Sequence, residues 1–249
     1  MIDLTGKFAL VSGAGRDIGK AVAIELARCG ADVAFTHHGS DGVETAAAIQ
    51  TLGRRALSRR VDGLDAAAVR EFAAWARQQA ARPIDILVNV TGGMVARKKM
   101  DEMDEAFWDH VVALNLKTAF LMTQAALPHF ADGGAIVNFS SQAGRDGGGP
   151  GALAYASAKG AIMTFTRGLA KELAPRRIRV NCVCPGMIDT TFHDTFTKPE
   201  VRQRVAAMTP LGREGRSEEV GALVAYLASS AASFVNGANI DINGGILFS

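Results

Sequence analysis

"KFALVSGAGRDIGKAVAIELARCG", residues 7–30, is the stretch that decides the fold. Its opening, "KFALVSG" (7–13), is a short apolar run and reads as a β-strand. A glycine-rich turn follows. Apolar residues then recur at helical spacing through "IGKAVAIELARCG" (18–30), and Gly30 ends the helix. A strand that feeds a helix through a tight turn aims backbone N–H groups at one point. The helix dipole favours negative charge there, so a dinucleotide pyrophosphate is the expected occupant.

The same alternation continues along the chain. Strands are expected at 31–37, 55–61, 84–90, 134–140, 178–184 and 238–242. Helices are expected at 41–52, 64–80 (around Phe72 and Trp75), 104–128, 153–173 and 217–229. Residues 187–210 read as an irregular, mobile lid. The runs at 84–90, 134–140 and 178–184 are nearly all apolar, as central parallel strands are. The pattern predicts an α/β fold: a single doubly wound Rossmann-type domain over 1–249, with a parallel sheet of about seven strands and helices on both faces. The Gly-rich segment "GRDGGGPG" (144–151) is too short to divide it.

Composition excludes several classes. The chain has 249 residues, 48% of them hydrophobic, which is enough for a large core. A net charge of +2 gives no basic excess for nucleic acid. The first residues lack a signal-peptide profile, and no apolar run approaches the roughly 20 residues of a membrane span. The expectation is a cytoplasmic protein with no membrane or nucleic-acid partner. Cys29, Cys182 and Cys184 offer no disulfide framework and are read as structural. Cys182 and Cys184 alternate and so share one face of a strand. The five histidines show no ligand spacing, so no metal site is expected.

Chemistry enters with "AYASAKGA" (154–161). Tyr155 and Lys159 stand one helical turn apart among small residues. Free tyrosine has a pKa of about 10, too high for acid–base work at neutral pH. A neighbouring ammonium stabilises the phenolate and lowers that value. "NFSSQAG" ends the preceding strand and offers Ser141, or its neighbour Ser140, to a substrate oxygen. Strand alternation puts only one of the two on the active side, and Ser141 is favoured. Asn115 is a polar amide inside the apolar helix "VVALNLKTAF".

These motifs together resemble the short-chain dehydrogenases/reductases over nearly the whole chain. The family's turn reads T-G-x-x-x-G-x-G. Here Ser12, Gly13 and Gly19 follow it, and Asp17 replaces the middle glycine. Asn89 and Gly92 in "NVTG" match the family's N-N-A-G, while Val90 and Thr91 depart from it. "CPGMIDT" (184–190) matches P-G-x-I-x-T. "PLGREGRSEEV" (210–220) and "DINGG" (241–245) resemble the 3-oxoacyl-[acyl-carrier-protein] reductase-like branch.

The resemblance implies hydride transfer between a nicotinamide cofactor and a carbonyl or secondary alcohol. Asn115, Ser141, Tyr155 and Lys159 take the four catalytic positions. Ser141 and Tyr155 polarise the carbonyl oxygen, and Tyr155 gives it a proton. Lys159 acidifies Tyr155 and holds the nicotinamide ribose, and Asn115 holds a water that refills the proton. Gly13, Arg16, Asp17, Ile18 and Gly19 form the cofactor turn. Asp62, with Gly63, meets the adenine amino group, and Asn89 and Gly92 close the fourth strand. Pro185, Gly186, Ile188 and Thr190 meet the nicotinamide end. Asp17 is expected to cap its helix and turn its charge away from the phosphates.

His37 stands where NAD-specific members place an acid that bonds the ribose 2′-OH. Arg16, His37, His38 and Ser40 could together hold a 2′-phosphate, so NADP(H) is favoured and NAD(H) remains an alternative. Relatives pair their equivalents of the 104–128 and 153–173 helices into tetramers, and a homotetramer is expected.

The substrate is either a small molecule or a carrier-bound carbonyl compound. Its choice falls to 92–100, 144–151 and the lid, whose Met187, Phe192, His193, Phe196 and Met208 suggest a partly apolar pocket. Arg97, Lys98 and Lys99 could attract an acidic substrate or form a solvated face. Arg176 and Arg177 could help dock an acidic carrier. The competing readings are a dehydrogenase of a sugar or small ketone, and a non-catalytic nucleotide sensor. The intact four-residue set argues against the sensor. An epimerase or dehydratase of nucleotide sugars normally needs an added C-terminal domain.

Overall fold

The computed structural model describes residues 2–248. Seven parallel strands form one sheet in the order β3-β2-β1-β4-β5-β6-β7. They are β1 (Phe8–Ser12), β2 (Asp32–His37), β3 (Ala56–Arg60), β4 (Ile84–Asn89), β5 (Phe130–Phe139), β6 (Arg179–Pro185) and β7 (Asn239–Ile242). Each strand lies within a few residues of its expected place. Side-chain alternation splits the core into two layers. Ala9, Val11, Ile86 and Val88 face one way and pack with Val22, Leu26 and Val224. Those three residues belong to α1 (Asp17–Arg28) and α10 (Ser217–Ala228). Phe8, Leu10 and Leu87 face the other way. There they meet α3 (Ala66–Ala80), α5 (Thr118–Ala126) and α7 (Leu153–Glu172) through Phe72, Leu121 and Leu169. The remaining helix of the first half, α2 (Val43–Thr51), covers β2 through Ile49.

The strand order reverses between β1 and β4, which opens a crevice at the carboxyl ends of the strands. Three elements depart from the sequence expectation. The long helix is interrupted: α4 (Glu105–Val112) passes into a π-helical turn, Ala113–Lys117, before α5. Together with its last 3₁₀ turn this run, Glu105–His129, is long and apolar enough to cross a membrane by length and composition. It packs instead between α3 and α7 with half of its apolar window buried. The 187–210 segment is not irregular; it carries α8 (Thr191–Phe196) and α9 (Pro199–Met208). Neither helix buries a residue below the surface, so no apolar stripe marked them in the sequence. Arg202 of α9 gathers Asp189, Asp194 and Glu214, tying the segment down by ion pairs. The short α6 (Ala143–Asp146) lies in the Gly-rich loop.

Candidate active site

A cavity of about 720 Å³ runs along the crevice, from the glycine turn after β1 to the loop between β5 and α7. The turn is built on steric necessity. A Cβ at Gly13 would lie 3.0 Å from Thr91 Oγ1, and one at Gly19 would lie 2.1 Å from the Gly13 carbonyl oxygen. A Cβ at Gly15 would lie 1.8 Å from Ser40 Oγ. Gly15 was missed as a site residue, although it sits inside the quoted turn. Backbone and side-chain bonds hold the turn to its neighbours. Gly13 N–H donates to Thr36 Oγ1, and Ser12 Oγ accepts from the N–H groups of Val90 and Thr91. His37 Nδ1 lies 2.6 Å from the Ser40 carbonyl oxygen, which folds the loop after β2 over the turn.

Arg16, Asp17, Ile18, Gly19, His37, His38 and Ser40 line this end of the cavity, as do Thr91 and Gly92. The cradle fits a dinucleotide: small residues where a phosphate approaches the backbone, free helix N–H groups, and basic side chains at the ribose end. Pro185, Gly186, Ile188 and Thr190 line the other side. Gly186 is required there, since a Cβ would lie 2.7 Å from Asn243 Cβ.

Asp17 behaves differently from the expectation. It does not cap α1; the N-cap is Arg16, which makes no side-chain capping bond and whose Nε lies 3.7 Å from Asp17 Oδ2. Asp17 sits at φ 50°, the left-handed region a glycine would hold without strain. Its carboxylate accepts from Thr191 Oγ1 at 2.5 Å and Thr191 N at 3.2 Å, across to α8. The charge does turn away from the helix N–H groups. Asp17→Gly removes backbone strain and a nearby negative charge. It is expected to leave cofactor affinity unchanged or modestly tighter in a fluorescence titration. A loss of about tenfold, roughly 1.4 kcal/mol, would show that the carboxylate itself is needed.

Asp62, Gly63, Asn89 and Asn115 are not among the residues lining this cavity: Asp62 is exposed, whereas Asn89 and Asn115 are buried. Asp62 accepts from Leu64 N–H and shapes the turn before α3. Asn89 Nδ2 donates to Thr123 Oγ1 and Asn138 Oδ1, bracing β4 against β5, while Asn89 Oδ1 is buried with no partner among the described residues. Asn115 Nδ2 donates to the carbonyls of Gly93 and Val111, and its Oδ1 accepts from Gly93 N–H. The amide therefore grips the loop after β4. The π turn that carries it is a widened helix of the kind found at functional sites.

Tyr155, Lys159 and Ser141 meet at the cavity. The two serines separate by role. Ser140 Oγ donates to the Lys159 carbonyl at 2.6 Å, a buried structural bond. Ser141 Oγ accepts from Ala143 N–H at 3.2 Å and lies beside the Tyr155 phenol, whose pKa it draws down. The small residues of "AYASAKGA" let α7 and α6 touch by backbone, since a Cβ at Gly144 would lie 2.8 Å from the Lys159 carbonyl carbon.

Lys159 Nζ lies 5.7 Å from the Tyr155 ring centre and donates to Phe139 O at 2.9 Å. Burial pulls its pKa down to about 8. The expected acidification of Tyr155 is not what these surroundings produce. Desolvation pushes the phenol up, and only Ser141 pulls it down.

For Lys159 the stability linkage has a defined sign. Between its folded pKa of about 8 and its ordinary 10.5, the unfolded chain holds more protons. Stability from this residue therefore rises with pH from about 8 to about 10, below the range where Tyr155 acts in the opposite sense. Lys159→Met is expected to remove that rise from a plot of Tm against pH. An unchanged slope would place the titration elsewhere.

Cys182 and Cys184 share one face of β6, as expected, packed on Ile162 and Met163. Met187, Phe192, His193 and Phe196 line the outer cavity, while Met208 is exposed and does not. Phe192 stacks 5.9 Å from Tyr155 and 5.1 Å from Phe196. The basic run divides. Lys98 lies over the Phe107 ring and beside Asp104, whereas Arg97 reaches the cavity wall. Arg176 pairs with Asp132 and nearby carbonyls.

Comparison with known proteins gives consistent relatives. The family described as enoyl-(acyl carrier protein) reductase matches residues 13–247. A 3-oxoacyl-[acyl-carrier-protein] reductase of Pseudomonas aeruginosa is 38% identical over 258 residues, covering 100% of both chains. Among solved structures, a blue fluorescent protein from a metagenomic library in complex with NADPH superposes with TM-score 0.90. It is 34% identical, with 99% of this chain and 100% of that one covered. Carveol dehydrogenase from Mycobacterium avium in complex with NAD superposes at 0.93, with 27% identity and 100% coverage of both.

Proposed function

Given that this chain belongs to the short-chain dehydrogenase/reductase family and is an oxidoreductase of it, we propose that it moves a hydride between NADP(H) and a carbonyl or secondary alcohol. The observation that carries this reading is the meeting of Tyr155, Ser141 and Lys159 on the wall of the cavity that begins at the glycine turn. The nicotinamide, when bound, supplies or accepts the hydride. Tyr155, held protonated by burial, gives its proton to the carbonyl oxygen. Ser141, beside the same phenol on the cavity wall, orients that oxygen. Lys159, poised near pH 8, passes a proton toward Tyr155 and fixes the ribose side of the site. Asn115 positions Gly93 and, through the π turn, the water that replenishes the relay. Asp62 serves the adenine end, and Asn89 and Gly92 hold the strand end against the cofactor.

NADP(H) is favoured over NAD(H) because Arg16, His37 and His38 line the ribose end and no carboxylate closes β2. The best-supported substrate is a 3-oxoacyl group, free or carrier-bound, given the Pseudomonas relative's name. A sugar or small ketone is the second reading, supported by the cavity's mix of apolar and polar walls. The test is a ketone and alcohol panel with NADPH and NADH, including an acetoacetyl thioester, followed by nicotinamide absorbance. Turnover with kcat/KM at least about tenfold higher for NADPH is expected. No absorbance change with any member would favour a non-catalytic nucleotide sensor.

A homotetramer is part of the proposal. Trp108, Phe120 and Leu153 are exposed on α4, α5 and α7, and Phe234 is fully exposed after α10. Light scattering reads the assembly mass. The three free cysteines suit a reducing cytoplasm.

A further inference from the structure

Three segments shape the outer cavity: the loop after β4, the Gly-rich loop before α7, and the α8 lid. One side chain touches all three. Arg97 leaves the first loop, and its Nε–H donates to the Phe196 carbonyl of α8 at 2.9 Å. Its Nη1–H donates to the Pro150 carbonyl at 3.0 Å. The chain below is fitted as closely, because a Cβ at Gly151 would lie 2.9 Å from Arg97 Cβ. Two carbonyls thus fix the plane of the guanidinium and engage two of its edges.

Unlike Arg202 of the lid, which gathers three acids, Arg97 bonds only carbonyls. Among the described residues no acid lies within ion-pair distance of Arg97. The acid on the same wall, Asp146, accepts instead from Gln142 Nε2 and Gly148 N–H. Burial holds the pKa of His193 on the lid below its usual value, with Arg202 and Arg97 adding to that pull and Glu214 and Asp194 opposing it. Arg97, solvent-exposed, therefore brings a positive charge that no acid among the described residues neutralises to the rim of the cavity that holds Tyr155.

Resting on the reductase reading above, we propose that Arg97 is a specificity residue that receives an anionic group of the substrate, carboxylate or phosphate, while the carbonyl lies at Tyr155. The favoured substrates are carbonyl compounds that carry this anion on the side of the molecule facing the lid. Phe192 and Phe196 flank the body between the two ends. Planar, paired donation suits Arg to a carboxylate, and Lys cannot reproduce it.

The test uses matched pairs of differing length. Acetoacetate and levulinate are compared with their methyl esters, and dihydroxyacetone phosphate with dihydroxyacetone. Wild type is expected to favour the anionic member of at least one pair by about tenfold or more in kcat/KM. Which pair shows it distinguishes a carboxylate site from a phosphate site. Arg97→Gln removes the charge and can retain at most the bond to the Phe196 carbonyl, because the shorter amide stops at the depth of the Arg Nε. It is expected to erase the preference while leaving the neutral member within about twofold. Equal losses on both members would show a mere strap between loops and overturn the proposal, as would a wild type that does not discriminate. Turnover of neutral members without discrimination leaves the reductase reading intact. Where no pair turns over, calorimetric titration of levulinate and methyl levulinate into the cofactor-loaded protein still reads the anion preference. Equal binding there overturns the site, independently of the reaction.

Discussion

Tyr155→Phe is expected to lower kcat by about a thousandfold and to leave the cofactor dissociation constant within about twofold. The substitution removes one oxygen and no ring. Packing on Phe192 survives, so the lid keeps its seat. What disappears is the proton that must reach the carbonyl oxygen as the hydride reaches its carbon. Ser141 can still donate a hydrogen bond, but a serine hydroxyl is a far weaker acid at neutral pH. Because burial raises the phenol pKa, Tyr155 is protonated at neutral pH, which suits reduction. Oxidation draws on the phenolate, so its rate should climb with pH where reduction stays level. Single-turnover absorbance with a reactive ketone provides the measurement. Activity within tenfold of wild type would remove Tyr155 from the proton path.

Gly19→Ala is expected to abolish measurable cofactor binding at concentrations that saturate wild type. A methyl group there would sit 2.1 Å from the Gly13 carbonyl oxygen, a backbone atom that cannot rotate aside. Either the turn or α1 must move. The turn cannot follow freely, because Gly13 and Ser12 are bonded to β2 and to the segment after β4. Strain of this kind costs about 1–3 kcal/mol in stability. The N–H groups that cradle a pyrophosphate also shift by more than hydrogen bonds tolerate. Cofactor fluorescence and thermal melting together read both effects. Wild-type affinity with an unchanged melt would refute this account of the turn.

Much of this was legible beforehand, because it rests on short-range pattern. Apolar strands and glycine turns announce themselves locally, so β1 through β7 and the Tyr155–Lys159 face could be placed from spacing alone. The lid helices could not. Their hold is Arg202 reaching acids 8 to 13 residues away, and ion pairs leave no periodic trace. Strand alternation favoured Ser141 over Ser140, but the bond that occupies Ser140, to the Lys159 carbonyl, is a tertiary fact. Asn115 was legible as a polar residue in an apolar helix, but its grip on Gly93 needed the π turn. Asp17 shows the limit most clearly. Its acid stood out as a departure, yet its partner, Thr191, is 174 positions away.

The glycines divide the crevice into parts that evolution or an engineer can alter and parts that cannot change. At positions 19, 144 and 186 even a methyl group collides with neighbouring atoms at under 3 Å. Gly149 and Gly93, on the same cavity wall, have neighbours only at 3.8 Å and no left-handed φ to strain an L side chain. A saturation library at Gly149 samples new substrate shapes beside Arg97, and one at Gly93 does so for every residue but proline, whose missing N–H would release Asn115, so diversification of this scaffold has a ready-made place to begin.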